Sequence, residues 1–164
     1  GAVYIYNSDK GDSICYKQGL TPGEKTVMKP KRGKRSFQVN GTKFGTLICR
    51  EMQDPAFKYF TKKNLPDVIL WPSYWGWEYH AKWSPTIKGT NKKDKCYQLM
   101  NRVKRPLIQI NMSKTIRKDM TIERYGKSVI VNAQNKKVGT GKFGEEDLFI
   151  VSYKNGVIKK QCSI

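Results

Sequence analysis

Short β-forming runs, interrupted by only two helix-forming stretches, limit what this chain can build. Residues 2–6 form a β-like run that ends in the polar stretch 7–12, and residues 13–17 read as its hairpin partner. A loop rich in Gly, Pro and Lys spans residues 19–34. Runs at 36–39 and 43–49 flank Asn40-Gly41, a strong hairpin signal because both turn residues must take positive φ. Asp54-Pro55 reads as a helix start, with Asp as the cap and Pro at the first helical position, and the helix is expected to run to about Lys63. Pro66 then precedes a buried strand at 67–71. An irregular Trp-rich stretch follows over 72–91, and a second helix is expected over 92–104, with Cys96, Leu99, Met100 and Val103 on one face. Strands return at 107–111, 127–132, 148–153 and 157–160. This order predicts a layered α/β or α+β fold. There is no internal repeat and no linker composition, so residues 1–164 read as a single unit. A chain of 164 residues can bury ~70% of its unfolded surface without disulfide or metal staples.

Charge narrows the list of partners. The chain has 32 Lys and Arg against 13 Asp and Glu, a net charge of +19. Such an excess draws nucleic acid, anionic lipid or acidic substrates. The densest run is Lys29-Pro30-Lys31-Arg32-Gly33-Lys34-Arg35, but basic pairs recur along the whole sequence. A generally basic, solvated surface is the simpler reading, and nucleic acid held by non-specific charge is the alternative. The four cysteines, Cys15, Cys49, Cys96 and Cys162, form no C-x-x-C pair, and His80 is the sole histidine. A structural zinc site and a secreted disulfide scaffold are therefore both disfavoured, and reduced thiols in a cytoplasm are expected. No run of eighteen apolar residues is present to span a membrane as a helix.

Two phosphate-binding motifs fail on inspection. Gly139-Thr140-Gly141-Lys142-Phe143-Gly144 matches G-x-G-x-x-G, but the next element reads as a strand, whereas a dinucleotide loop must open a helix. Gly126-Lys127-Ser128 imitates the end of a P-loop, but Thr121 stands where the first Gly is required. A Ser-His-Asp triad would have to use His80, and no G-x-S-x-G elbow exists.

One constellation remains. Gly45-Thr46-Leu47-Ile48-Cys49-Arg50-Glu51 delivers a cysteine at the end of a β run, just before a helix-forming stretch. A strand end is rigid, and nearby backbone N–H groups can stabilise a thiolate there. By itself the same cysteine reads more readily as a small buried hydrophobe than as a nucleophile.

Its surroundings resemble the carbon–nitrogen hydrolase (nitrilase) superfamily. The Gly-x-x-Ile-Cys-x-Glu turn is followed by an apolar strand ending in Pro72-Ser73-Tyr74-Trp75. Upstream, Tyr16-Lys17 opens a loop, Leu20-Thr21-Pro22-Gly23-Glu24, whose Leu-x-Pro-x-Glu character is similar to the apolipoprotein N-acyltransferase branch. Downstream, the 105–113 and 125–131 segments resemble two further strands of that family. The resemblance implies an αββα sandwich and a cysteine acyl-enzyme formed from an amide, nitrile or carbamoyl compound. It makes Cys49 the nucleophile, Lys17 the fixed positive charge at the developing oxyanion, and Glu24 the carboxylate that orients Lys17 or water. It places Glu51, Trp75, Trp77 and Asn111 around the substrate. It requires no metal or organic cofactor, and it implies a homo-oligomer.

The departure from the family pattern is equally specific. The resemblance calls for a catalytic Glu upstream of the lysine, and no Glu occurs among residues 1–16. The first strands and helices of the sandwich lack counterparts as well. The expectation is thus a partial domain whose N-terminal portion lies elsewhere, with an inactive basic binding module on the same scaffold as the alternative.

Overall fold

The computed structural model describes residues 2–5, 13–54, 59–73, 104–111, 114–116, 120, 122–124, 128–134, 136–142 and 144–163. Strands β1 (Ala2–Ile5) and β2 (Ser13–Tyr16) pair antiparallel, as their spacing predicts. A six-residue helix, α1 (Pro22–Val27), follows. Strands β3 (Ser36–Val39) and β4 (Thr42–Thr46) form a hairpin whose turn is Asn40-Gly41, with φ of 46° and 78°. Next come β5 (Val68–Ser73), β6 (Leu107–Asn111), β7 (Lys114–Ile116), β8 (Ile122–Arg124), β9 (Val129–Val131), β10 (Lys137–Thr140), β11 (Phe149–Lys154) and β12 (Val157–Ser163). The same chemistry closes the last hairpin, where Asn155 and Gly156 both have positive φ.

Six strands form the central sheet in the order β10-β9-β6-β5-β4-β3. Strands β4, β5 and β6 run parallel, and β3 and β9 flank them antiparallel. Alternation along the parallel strands sorts the core into two faces, as strand geometry requires. Ile69, Trp71, Leu107, Val129 and Val131 point to one side, where Leu47, Met52 and Phe60 cover them. Val68 and Ile130 point to the other side, where Ile158 of the β11–β12 hairpin packs with Val151 and Tyr153 alongside. The layered, sheet-dominated α/β class predicted from the sequence is therefore the one found.

Two local expectations need correction. Residues 19–34 do not form an unbroken loop, because α1 lies within them. The helix expected from Asp54 to Lys63 does not form over its described part. A 3₁₀ turn at Cys49–Gln53 comes earlier, Asp54 is extended, and only a short 3₁₀ turn at Lys62–Asn64 follows. The reason is local: the Asp54 carboxylate accepts from the Tyr59 hydroxyl and faces Arg50, so it is committed to side chains. Pro55 also biases Asp54 toward extended backbone. The helix expected at 92–104 lies outside the described residues up to position 103, and Lys104 has a φ of 47°.

Where the sheet meets the 59–66 segment the fit is tight. A Cβ on Gly45 would lie 2.6 Å from Pro66 Cγ and 2.8 Å from Phe60 Cζ, both parts of rigid rings. Gly45→Ala should therefore lower stability by roughly 1–3 kcal/mol through overpacking, read as a lower melting temperature.

Candidate active site

The parallel strands end together at one edge of the sheet, which is where ligands bind in open α/β sheets. Ser73 ends β5 opposite Asn111, which ends β6, and Cys49 follows β4 by three residues at that edge. Cys49 begins the 3₁₀ turn with a φ of 51°, a conformation that L-residues rarely adopt. Such strain persists only where the surroundings hold it. The indole N–H of fully buried Trp71, on neighbouring β5, donates to the Cys49 carbonyl at 2.8 Å. From the other side, the backbone N–H of Ile48 donates to Glu51 Oε2 at 2.7 Å.

Glu51 is the point on which the site converges. Its Oε1 accepts from the backbone N–H groups of Gln18 at 2.5 Å and Gly19 at 2.9 Å. Arg35 meets it in a two-pronged pair, with Nη2 donating to Oε1 at 2.6 Å and Nη1 to Oε2 at 2.5 Å. One carboxylate thus joins the residue after Lys17, the residue before Cys49 and the start of β3. Burial works to raise the Glu51 pKa, but the Arg35 bonds and the three backbone N–H groups outweigh it and hold the carboxyl below its usual value. Gly19 is needed for the approach: a Cβ there would lie 2.5 Å from the Tyr59 hydroxyl and 2.8 Å from Glu51 Cγ.

Lys17 is buried, with only 3% of its side chain exposed, and its ammonium donates to both oxygens of Glu24 at 2.5 and 2.7 Å. Glu24 is itself fixed by a capping box at the start of α1. The Glu24 N–H donates to Thr21 Oγ1 at 3.2 Å, and Glu24 Oε2 accepts from the Thr21 N–H at 2.7 Å. Burial pushes the Glu24 carboxyl up, yet its bonds to Lys17 and Thr21 leave it below the usual value. The arrangement presents a buried cation, oriented by a carboxylate, on the strand-end loop that Glu51 ties to the cysteine.

The residues expected around the substrate are placed differently. Glu51 is 1% exposed and its oxygens are committed to Arg35 and backbone amides, a framework position rather than a substrate-facing one. Asn111 accepts from Ser73 Oγ at 3.2 Å, and Ser73 Oγ accepts from Gln109 at 3.0 Å. Asn111 lines a cavity of about 390 Å³ with Ile110, Ser128 and the 145–148 segment, and neither Cys49 nor Lys17 lines it. Trp75 and Trp77 lie outside the described residues. Arg35 and Trp71 carry parts of the site that the sequence reading left unassigned. Arg35 was masked by the basic run that it ends, and Trp71 by its place in an apolar strand. No metal-binding group of His, Cys, Asp or Glu occurs among the described residues, and no described helix is long and apolar enough to cross a membrane.

A parallel-centred sheet with a strained cysteine at its strand ends is a fold shared with solved carbon–nitrogen hydrolases. The structure is similar to a carbon–nitrogen hydrolase from Helicobacter pylori, with a TM-score of 0.63 and 16% identity over 85% of this chain and 51% of that one. It is similar to Nit3 of Saccharomyces cerevisiae, a nitrilase-superfamily member, with a TM-score of 0.63 and 19% identity over 88% and 50%. A glutamine-dependent NAD⁺ synthetase from Acinetobacter baumannii matches with a TM-score of 0.68 and 17% identity over 99% of this chain and 33% of that one. The chain thus spans about half the length of the first two structures and a third of the last. No family model matches the chain, and no curated protein matches it significantly.

Two substitutions probe the framework. Glu51→Gln should cost roughly 3–5 kcal/mol, because it leaves the Arg35 guanidinium buried without its counter-charge. In the unaltered protein the depressed carboxyls of Glu51 and Glu24 contribute stability that is complete above the ordinary Glu pKa of 4.5 and is lost as pH falls through their lower folded values. Melting temperatures recorded from pH 7 to 3 should fall in that window, and less steeply for Glu51→Gln. Trp71→Phe keeps a ring in the core but removes the donor to the Cys49 carbonyl. It should lower stability by about 1–3 kcal/mol, measured by denaturant unfolding.

Proposed function

We propose that this chain carries the nucleophile-bearing part of a carbon–nitrogen hydrolase site. The observation that carries this reading is the double attachment to Glu51, which ties the loop of buried Lys17 to the strained turn of Cys49. The thiolate of Cys49 adds to the carbon of an amide, nitrile or carbamoyl group. The Lys17 ammonium, held by Glu24, stabilises the charge that develops on the attacked group. For an amide, the C–N bond breaks as the leaving amine takes a proton, and the acyl group stays on Cys49 as a thioester. Water then attacks the thioester, giving the acid and the free thiol. An amine attacking in place of water would make the same intermediate serve acyl transfer, the outcome that the Leu20-to-Glu24 segment suggests.

A general base is still required, to take the thiol proton and later that of water. Glu51 is saturated by Arg35 and backbone amides, and Glu24 is engaged with Lys17 and Thr21. The base in this reading is a carboxylate other than Glu24 and Glu51. Support for the chemistry comes from a structural neighbour: an amidase variant from Nesterenkonia carries the acetamide moiety of fluoroacetamide on its active-site cysteine. That neighbour matches with a TM-score of 0.58 and 15% identity over 78% of this chain.

Chloroacetamide labelling followed by peptide mass analysis tests the assignment. Cys49, which is half-buried, should be alkylated faster than the exposed thiol of Cys162. Equal or slower labelling of Cys49 in the active assembly, where the base is present, would remove the basis for calling it a nucleophile. In the active assembly, ammonia release from short amides should vanish in Cys49→Ala and fall by about 10²–10³-fold in Lys17→Met.

A further inference from the structure

Between Glu24 and Glu51 the sequence contains no acidic residue. Residues 25–34 within that interval are all exposed, and they bring Lys25, Lys29, Lys31, Arg32 and Lys34 to the surface together. The segment is anchored at both ends. Glu24 holds Lys17 at one end, and Arg35 holds Glu51 at the other. In between it folds back over β2, with the Lys31 ammonium 4.3 Å above the Tyr16 ring and Gly33 against the same ring. Fixed ends and a docked middle make this a formed cationic surface rather than a free tail.

The surface continues into a groove of about 760 Å³ between β3 and the 59–64 segment. Lys34 and Lys43 supply charge there, Gln38 and Asn64 supply amides, and Phe37 and Tyr59 supply aromatic rings. Phe37 stacks on Phe44 with ring centroids 5.3 Å apart, and Tyr59 carries the Arg35 guanidinium 4.7 Å from its centroid. Both rings remain half-exposed. A cationic track beside aromatic rings and side-chain amides is the combination that holds single-stranded nucleic acid: cations follow the phosphates, and rings meet the bases.

We propose that the 25–34 segment and its groove bind single-stranded nucleic acid, separately from the chemistry at Cys49. A lipid surface fits less well. The large hydrophobic side chains exposed on the segment are Val27 and Met28. Stable membrane anchoring needs a broad apolar face or an acyl chain besides the basic patch.

The test is fluorescence anisotropy with a labelled oligothymidylate of about 12 nucleotides, titrated at several salt concentrations. The unaltered protein should bind, with affinity falling steeply as salt rises. Lys31→Glu, Arg32→Glu and Lys34→Glu together should weaken binding by at least tenfold, roughly, and lower the salt slope by about two, the loss of some three phosphate contacts. Lys136→Glu, Lys137→Glu and Lys159→Glu make the same change in net charge at exposed positions elsewhere. That variant should stay within about threefold of the unaltered protein, since net charge alone carries no site. Alanine at positions 31, 32 and 34 guards against misfolding and should shift affinity the same way by less. Equal losses in the two charge-reversed variants would overturn the proposal, as uniform charge would then be the cause. So would failure of the unaltered protein to bind at low salt, or segment-dependent binding to phosphatidylserine vesicles without oligonucleotide binding.

Discussion

The buried pair of Arg35 and Glu51 is the interaction on which the arrangement of the site depends. Burying either charge at that depth alone would cost several kcal/mol of desolvation. Together they satisfy each other in a two-pronged geometry, and the carboxylate has oxygens left for three backbone amides. Those amides belong to two distant parts of the chain. The loop after β2 and the turn after β4 have no shared strand pairing to align them. The carboxylate does so, and with that it sets where Lys17 and Cys49 sit.

Around this pair the sheet supplies rigidity and the local turns supply direction. Parallel pairing of β4 and β5 brings Trp71 level with the end of β4, so its indole reaches the carbonyl of Cys49. The capping box of α1 gives Glu24 two duties, closing the first turn of the helix and receiving the Lys17 ammonium. A short helix with an exposed surface thus has a buried consequence. The cationic segment that follows it is drawn between two ion pairs and has little freedom to leave the surface of β2.

Much of this was legible from residue types. Asn40-Gly41 marked its hairpin, the apolar run before Trp71 marked the central strand, and the Ile-Cys-x-Glu turn marked the candidate nucleophile. Other parts were hidden for definable reasons. Helix α1 is too short for periodicity to emerge, and Gly23 weakens its propensity, although Thr21-x-x-Glu24 is a capping signature. Lys17 is singled out by the family resemblance alone; by residue type it is one of 32 basic residues, and only its burial against Glu24 sets it apart. Arg35 closes a run of exposed cations, and nothing in that run distinguishes the one that turns inward. Asp54-Pro55 was misleading because an N-cap and a helix stop share the same extended backbone. Which side chains Asp54 meets, here Arg50 and Tyr59, decides between them, and the Asp-Pro pair does not contain that.

The span of chain enclosed by Glu51 has an entropic cost. Its bonds reach back 33 residues to Gln18 and 16 to Arg35, so they close only after β2, the basic segment and the β3–β4 hairpin have come together. Closing loops of that length costs entropy that a lone contact does not repay. The turn of Cys49 and the loop of Lys17 therefore rest on one closure, and loosening the Glu51 carboxylate would release both together.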